Sequence, residues 1–230
     1  MVEVFSPIVL GVALVLGLEH AFDADHIVAI STILSNTKSI RKSIFLGTMW
    51  GFGHSVTIFI VGAIVLVLRV MIPQSIVNLF EVAAGALLLI LGVYVIRGLI
   101  VERASSSKSF SDGPHLHPKH AESSHLKHNH MHKSLLAGAI QGLGGSAALM
   151  LVALSTVGST IIGIVFIAIF AIGVIVGMVG IGTLIGGLLT FTSRHVEKIH
   201  NAIRAVAGCL SIGFGVFIIL TILLLGKTML

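Results

Sequence analysis

This chain carries little charge. Asp, Glu, Lys and Arg make up 10% of its residues, where a soluble domain carries about 25%. With 56% apolar residues and a mean hydropathy of +1.09, it has too little polar surface to face water on all sides. The formal charge of +5 falls in loops between apolar runs, where basic residues set membrane orientation, so nucleic acid is not an expected partner. Cysteine is scarcer still. The single Cys209 excludes an intrachain disulfide and a multi-thiolate metal site, and reads as a small residue at a helix contact. There is no Gly-x-x-x-x-Gly-Lys-Ser/Thr run for ATP. Nor is there the period-two alternation of a membrane barrel. The N-terminus has no basic stretch ahead of its apolar run and reads as the start of a first span rather than a cleaved leader.

Several apolar runs exceed the roughly 20 residues that cross a bilayer as a helix. Six helices are expected, at about 6–34, 43–69, 75–99, 134–156, 159–190 and 197–225. The first would span ~43 Å against a hydrocarbon core of ~30 Å, so it must tilt, protrude or break. Lys38, Arg41 and Lys42, then Arg97, Arg103, Lys108, Lys119, Lys127 and Lys133, then Arg194, Lys198 and Arg204 fall in loops sharing one side. Only Arg69 and Lys227 remain for the other. The positive-inside rule makes the crowded side cytoplasmic and puts both termini outside.

The two halves align. Glu81 to Ile96 lies on Arg204 to Ile219 without gaps, with Gly85 on Gly208 and Gly92 on Gly215, and Gly17 matches Gly138 as His20 matches Gln141. Three spans per half is odd, so the repeat must be inverted across the membrane, a recurrent plan in secondary transporters. The fold expected is therefore an all-α integral membrane protein of six helices in two inverted three-helix repeats, residues 1–100 and 134–230, multi-pass in a prokaryotic plasma membrane. Residues 101–133 join them. They hold His115, His117, His120, His125, His128, His130 and His132 among Ser, Pro and charge. Such a stretch cannot bury enough apolar surface to fold alone, and it reads as a disordered cytoplasmic loop that captures metal or merely links the halves.

One stretch concentrates the chemistry. Glu19, His20, Asp23, Asp25 and His26 fall within eight positions of an otherwise apolar run. Ionisable groups at membrane depth are costly and mark function by default. Imidazole with carboxylate suits a divalent first-row transition metal. On a continuous helix, with Glu19 at zero, Asp23 falls at about 40°, His26 at about −20° and His20 at about 100°, while Asp25 points away at about −120°. Asp25 then needs local unwinding to reach an ion, or fixes an imidazole by accepting its other N–H. His54, in Trp50-Gly-Phe-Gly-His54-Ser, lies at a depth matching His26 if the two helices are antiparallel, and Gly51 and Gly53 would let the backbones approach. Gln141-Gly-Leu-Gly-Gly-Ser146 stands where the second half would carry the cluster. It reads either as close glycine packing or as a broken helix offering carbonyls and the Gln141 amide. Glu81 and Arg204 occupy equivalent positions in the two halves near opposite surfaces, as structural anchors or as a gate.

His20-Ala-Phe-Asp-Ala-Asp25-His26 resembles the His-X4-Asp-His signature of the nickel/cobalt transporter family, and Gly51-Phe-Gly-His54-Ser is similar to its second element. With Gly145-Ser-Ala-Ala148 and the histidine-rich centre, the likeness is to the short, UreH-like branch of urease accessory nickel permeases. The resemblance implies that His20, Asp25 and His26 are required for transport, with Asp23 and His54 close by. Longer members have an additional span before the signature and commonly an Arg where this chain has Glu19. The resemblance also implies a permease importing Ni2+ or Co2+ as its transported ion, with no cofactor. Its partners would be the ion, the bilayer and cytoplasmic metallochaperones or urease and hydrogenase maturation proteins. An exporter of the same ions, and an intramembrane metalloenzyme with Glu19 as its acid or base, are the competing classes. The second lacks a His-Glu-x-x-His pattern, and no enzyme activity is expected.

Overall fold

The computed structural model describes residues 7–70, 72–108, 124–142, 144 and 159–225. Those residues form helices and no strand. They are α1 (Pro7–Ala21), α2 (Ala24–Leu34), α3 (Ile40–Leu68), α4 (Gln74–Lys108), α5 (Ser124–Gln141), α6 (Thr160–His195) and α7 (Glu197–Leu225). Four stretches, Ile40–Leu68, Gln74–Ala104, Thr160–Ser193 and Glu197–Leu224, are long and apolar enough to cross a membrane, and the bent pair α1 and α2 makes a fifth together. The sixth expected span, 134–156, is described only through α5 and Gly144. Large apolar side chains point outward all round the bundle, among them Leu79, Ile90, Leu184 and Phe217. In water they would be a liability; against lipid they are the solvated face.

The long first run breaks. α1 stops at Ala21 and α2 restarts at Ala24, at 56° to it. The chain tightens there: the Phe22 N–H donates to Glu19 O at 2.8 Å and the Asp23 N–H to His20 O at 3.1 Å, one residue short of the helical spacing. Asp23 then takes an extended backbone (φ −55°, ψ 143°) ahead of α2. The other boundaries have ordinary causes. α3 ends where Arg69 turns left-handed at φ 52°, and α4 starts after Pro73, whose carbonyl accepts from Ile76 and Val77. Both α4 and α5 run further than expected. The segment 101–133, expected to be irregular, is helical through Lys108 and again from Ser124.

α3 packs on α5 and α6, while α1 packs on α6, and α4 and α7 form the most extensive pair. Short α2 touches α7 most, with α4 and α6 nearly as close. Glycine sets how near the helices come. A Cβ on Gly17 would lie 2.1 Å from Phe170 O, and one on Gly138 would lie 2.0 Å from Trp50 O. Either substitution would push two backbones apart. Hydroxyls cross-link the same surfaces: Ser55 donates to Ala171 O at 3.0 Å, Ser134 to Leu46 O at 2.7 Å and Ser211 to Leu88 O at 2.8 Å. Without water to solvate them, such groups must bond within the bundle. The buried core runs through Ile30, Leu34, Trp50, Ile58, Leu88, Ile167, Phe170, Met178 and Leu189.

Candidate metal site

The break in the first run is what gathers the polar residues. His20 closes α1, Asp23 sits in the break, Asp25 and His26 open α2, and His54 comes from mid-α3. Because α2 swings away from α1, side chains that a straight helix would spread around its circumference meet on one side. Donor atoms of His20, His26 and His54 all lie within 4.8 Å of one another, and so do those of Asp23, Asp25 and His26. The three rings form a triangle with centroid separations of 4.7, 4.8 and 5.2 Å.

Burial divides the group. His20, His26 and His54 are 6%, 2% and 0% exposed, whereas Asp23 and Asp25 are 39% and 27% exposed. Each carboxylate holds an imidazole. Asp23 Oδ2 lies 2.9 Å from His20 Nδ1, and Asp25 Oδ1 lies 2.9 Å from His26 Nδ1. That is the orienting arrangement in which a carboxylate fixes ring and tautomer, one of the two roles expected for Asp25. His20 Nε2 and His54 Nε2 meet at 3.1 Å, so one ring donates and the other accepts. His26 Nε2 and His54 Nδ1 are buried without a hydrogen-bond partner. A buried nitrogen left so costs about 1–3 kcal/mol, and a cation among these rings would use the bare lone pairs. Nitrogen-rich donors with carboxylate oxygen suit nickel, cobalt, copper or zinc better than calcium or magnesium.

Gln141, the last residue of α5, reaches this group from the second half. Its Nε2 donates to Asp25 O at 3.3 Å and to Asp25 Oδ2 at 3.4 Å, and its own Oε1 is buried and unpartnered. Two aromatic neighbours were not read from the sequence. Trp50 stacks on His54 (18° between planes, centroids 5.4 Å apart) and meets His26 edge-on, while Phe170 covers His20. The spacing of Trp50 and His54, four apart on one helix, was the available signal.

Other expected residues lie elsewhere. Glu19 is exposed and belongs to neither donor set. Glu81 is partly buried on α4, beside Gly144. Arg204 is buried but turns to a different acid: its guanidinium grips Glu102 through both terminal nitrogens, at 2.7 and 3.0 Å, and also bonds Asn36 and Asn201. Arg204 therefore joins α7 to α4 and to the turn after α2. Of the central histidines, His115, His117 and His120 lie outside the described residues, while His125, His128, His130 and His132 fall on the first part of α5.

The family model described as high-affinity nickel-transport protein (NicO) matches residues 8–228. The chain belongs to this family. It is 34% identical over 215 residues to a urease accessory protein, UreH, of Bacillus sp. (strain TB-90), covering 94% of this chain and 91% of that protein. It is 26% identical over 172 residues to a putative nickel/cobalt efflux system of Methanocaldococcus jannaschii, covering 74% and 72%. No solved structure matches it. With its apolar helices, this NicO chain is a multi-pass membrane protein of a nickel-transport family, not an enzyme family. Nickel or cobalt as the carried ion fits that family.

Proposed function

We propose that the chain is a secondary permease that carries Ni2+ or Co2+ into the cytoplasm through a site made by His20, Asp23, Asp25, His26 and His54. The observation that carries this reading is three mutually contacting, buried imidazoles at a helix break, with two carboxylates beside them and ring nitrogens left without partners. Intramembrane polar groups persist where they mark an ion path, and broken helices are the common place for one. Inward transport is favoured by the likeness to a urease accessory protein. The name of the second relative, an efflux system, favours export, and the site chemistry serves both directions. Accumulation of radioactive nickel in cells with and without the protein separates them: a rise supports import, a fall export, and no change opposes transport.

The reading includes two inverted three-helix repeats with the termini outside. In its support, packing is reciprocal between the halves. Gly17 meets Phe170 as Gly138 meets Trp50, and Gly85 meets Gly215 as Gly208 meets Gly92. The two glycine–glycine contacts become each other when the aligned halves are exchanged, since Gly85 lies on Gly208 and Gly92 on Gly215. His20 and Gln141 are also aligned, so the first half would supply the ligands and the second a neutral amide that steadies them. The basic loops favour a cytoplasmic position for residues 101–133, where their histidines would gather or buffer the ion for metallochaperones or urease and hydrogenase maturation proteins. Glu81 and Arg204 are then anchors or gate residues away from the ion.

A further inference from the structure

The five side chains separate into two donor sets that share one member. His20, His26 and His54 form a set buried almost completely, and Asp23, Asp25 and His26 form a second, partly exposed one. The sets differ in chemistry as well as depth. Carboxylate oxygens bind an ion that still holds water, while imidazoles bind a borderline-soft transition ion that has given water up. Neither set is a subset of the other, and His26 is the only residue in both.

We infer that the site is two successive stations: an oxygen-rich station at Asp23 and Asp25 that receives a partly hydrated ion, and a three-imidazole station that holds it dehydrated. The ion passes between them by exchanging ligands around His26, the residue common to both sets. This inference rests on the proposed transport reading. Three observations carry it. His26 presents Nδ1 to Asp25 at 2.9 Å and keeps a buried, unpartnered Nε2, so its ring has one nitrogen engaged with the carboxylates and one bare among apolar and aromatic neighbours. His20 Nε2 and His54 Nε2 already meet at 3.1 Å, so the imidazole set closes without either carboxylate. Asp23 and Asp25 each hold a different imidazole in place. A carboxylate can therefore leave the ion and return to its ring, and the move out of the oxygen-rich station leaves no buried anion unpaired. A residue common to both sets also keeps the step short. No state requires a bare divalent ion in the low-dielectric interior, which would be costly to desolvate.

The test uses Co2+ as the probe, on the purified full chain in detergent. Its visible absorption is strong when four-coordinate with nitrogen ligands and weak when six-coordinate with oxygen. Affinity is read by calorimetry, and uptake is read separately in cells. Asp23→Asn/Asp25→Asn should keep the strong absorption, lose on the order of tenfold to a hundredfold in affinity, and slow uptake. His20→Gln/His54→Gln should still bind Co2+ more weakly, with the strong absorption replaced by the weak one. The single variants Asp23→Asn and His54→Gln, checked for an unchanged melting temperature, give the same split if a double variant does not fold. The two-station inference is overturned if both pairs lose binding and absorption together, as an indivisible site would, or if the carboxylate pair leaves uptake at the wild-type rate. A different result, wild-type binding in both pairs and in His26→Ala, would remove the site reading itself.

Discussion

The Arg204 cluster and the imidazole cluster put similar polar chemistry inside one bundle, yet the first is nearly saturated and the second is not. Arg204 is 5% exposed, and four of its hydrogen bonds end on Glu102, Asn36 and Asn201, leaving Nε as its one unpaired nitrogen. Around the imidazoles, by contrast, His26 Nε2, His54 Nδ1 and Gln141 Oε1 are all buried without partners. A saturated cluster ties α4, α7 and the turn after α2 together and needs no visitor. An unsaturated one carries a standing cost that a cation among the lone pairs would relieve. The difference separates an anchor from a site more sharply than burial or charge does, since each cluster has a buried centre, partly exposed acids and ionisable groups.

The largest effect expected from this contrast is at His26, the residue common to both donor sets. His26→Ala should lower Ni2+ affinity by more than the roughly hundredfold that loss of a supporting partner costs, with the protein still purifying as a folded species. Isothermal titration in detergent reads it, and near-normal affinity would erase the contrast. The anchor should respond oppositely. Glu102→Gln leaves the buried Arg204 guanidinium without its carboxylate. Glu102 is 57% exposed, so water softens the loss, and thermal melting should show a destabilisation of about 1–3 kcal/mol with Ni2+ affinity unchanged. A fall in affinity equal to that of the His26 variant would mean the two clusters act as one. Smaller still is the effect at Gln141. Its bonds to Asp25 are long, 3.3 and 3.4 Å, so Gln141→Ala should weaken binding by on the order of tenfold, the low end for a supporting residue. Unaltered affinity would remove the second half from the site.

Much of the site was legible because its grammar is local. Five ionisable groups in an apolar run need no structure to be noticed, and the matching depths of His26 and His54 follow from counting along two helices that share a short turn. The excess length of the first run forced a choice between tilt, protrusion and break, and the break at Phe22–Asp23 is the outcome. What that break does was not legible. The helical wheel put Glu19 with His20, Asp23 and His26, but the 56° bend leaves Glu19 exposed and brings Asp25 to His26 instead. A single-helix periodicity cannot anticipate its own interruption. Arg204 shows a second limit. Its anchoring role was legible, but its partner Glu102, at the other end of α4 from Glu81, was not, because that contact is set by how α4 and α7 pair. The helical ends of the 101–133 segment were missed because polar composition there outweighs the continuation of α4 and α5 past the apolar spans.

The central claim is that the unsaturated imidazoles hold the ion, and Trp50 supplies the most direct measurement of it. It is the single tryptophan of the chain and stacks on His54 while meeting His26 edge-on, so a quenching Ni2+ ion at the rings would sit beside the chain's only indole. Ni2+ is titrated into the purified protein while tryptophan emission is followed, for the wild type and for His20→Ala/His26→Ala. The account predicts saturable quenching at low Ni2+ in the wild type and none over the same range in the double variant. Equal, saturable quenching with equal affinity in both proteins would contradict it.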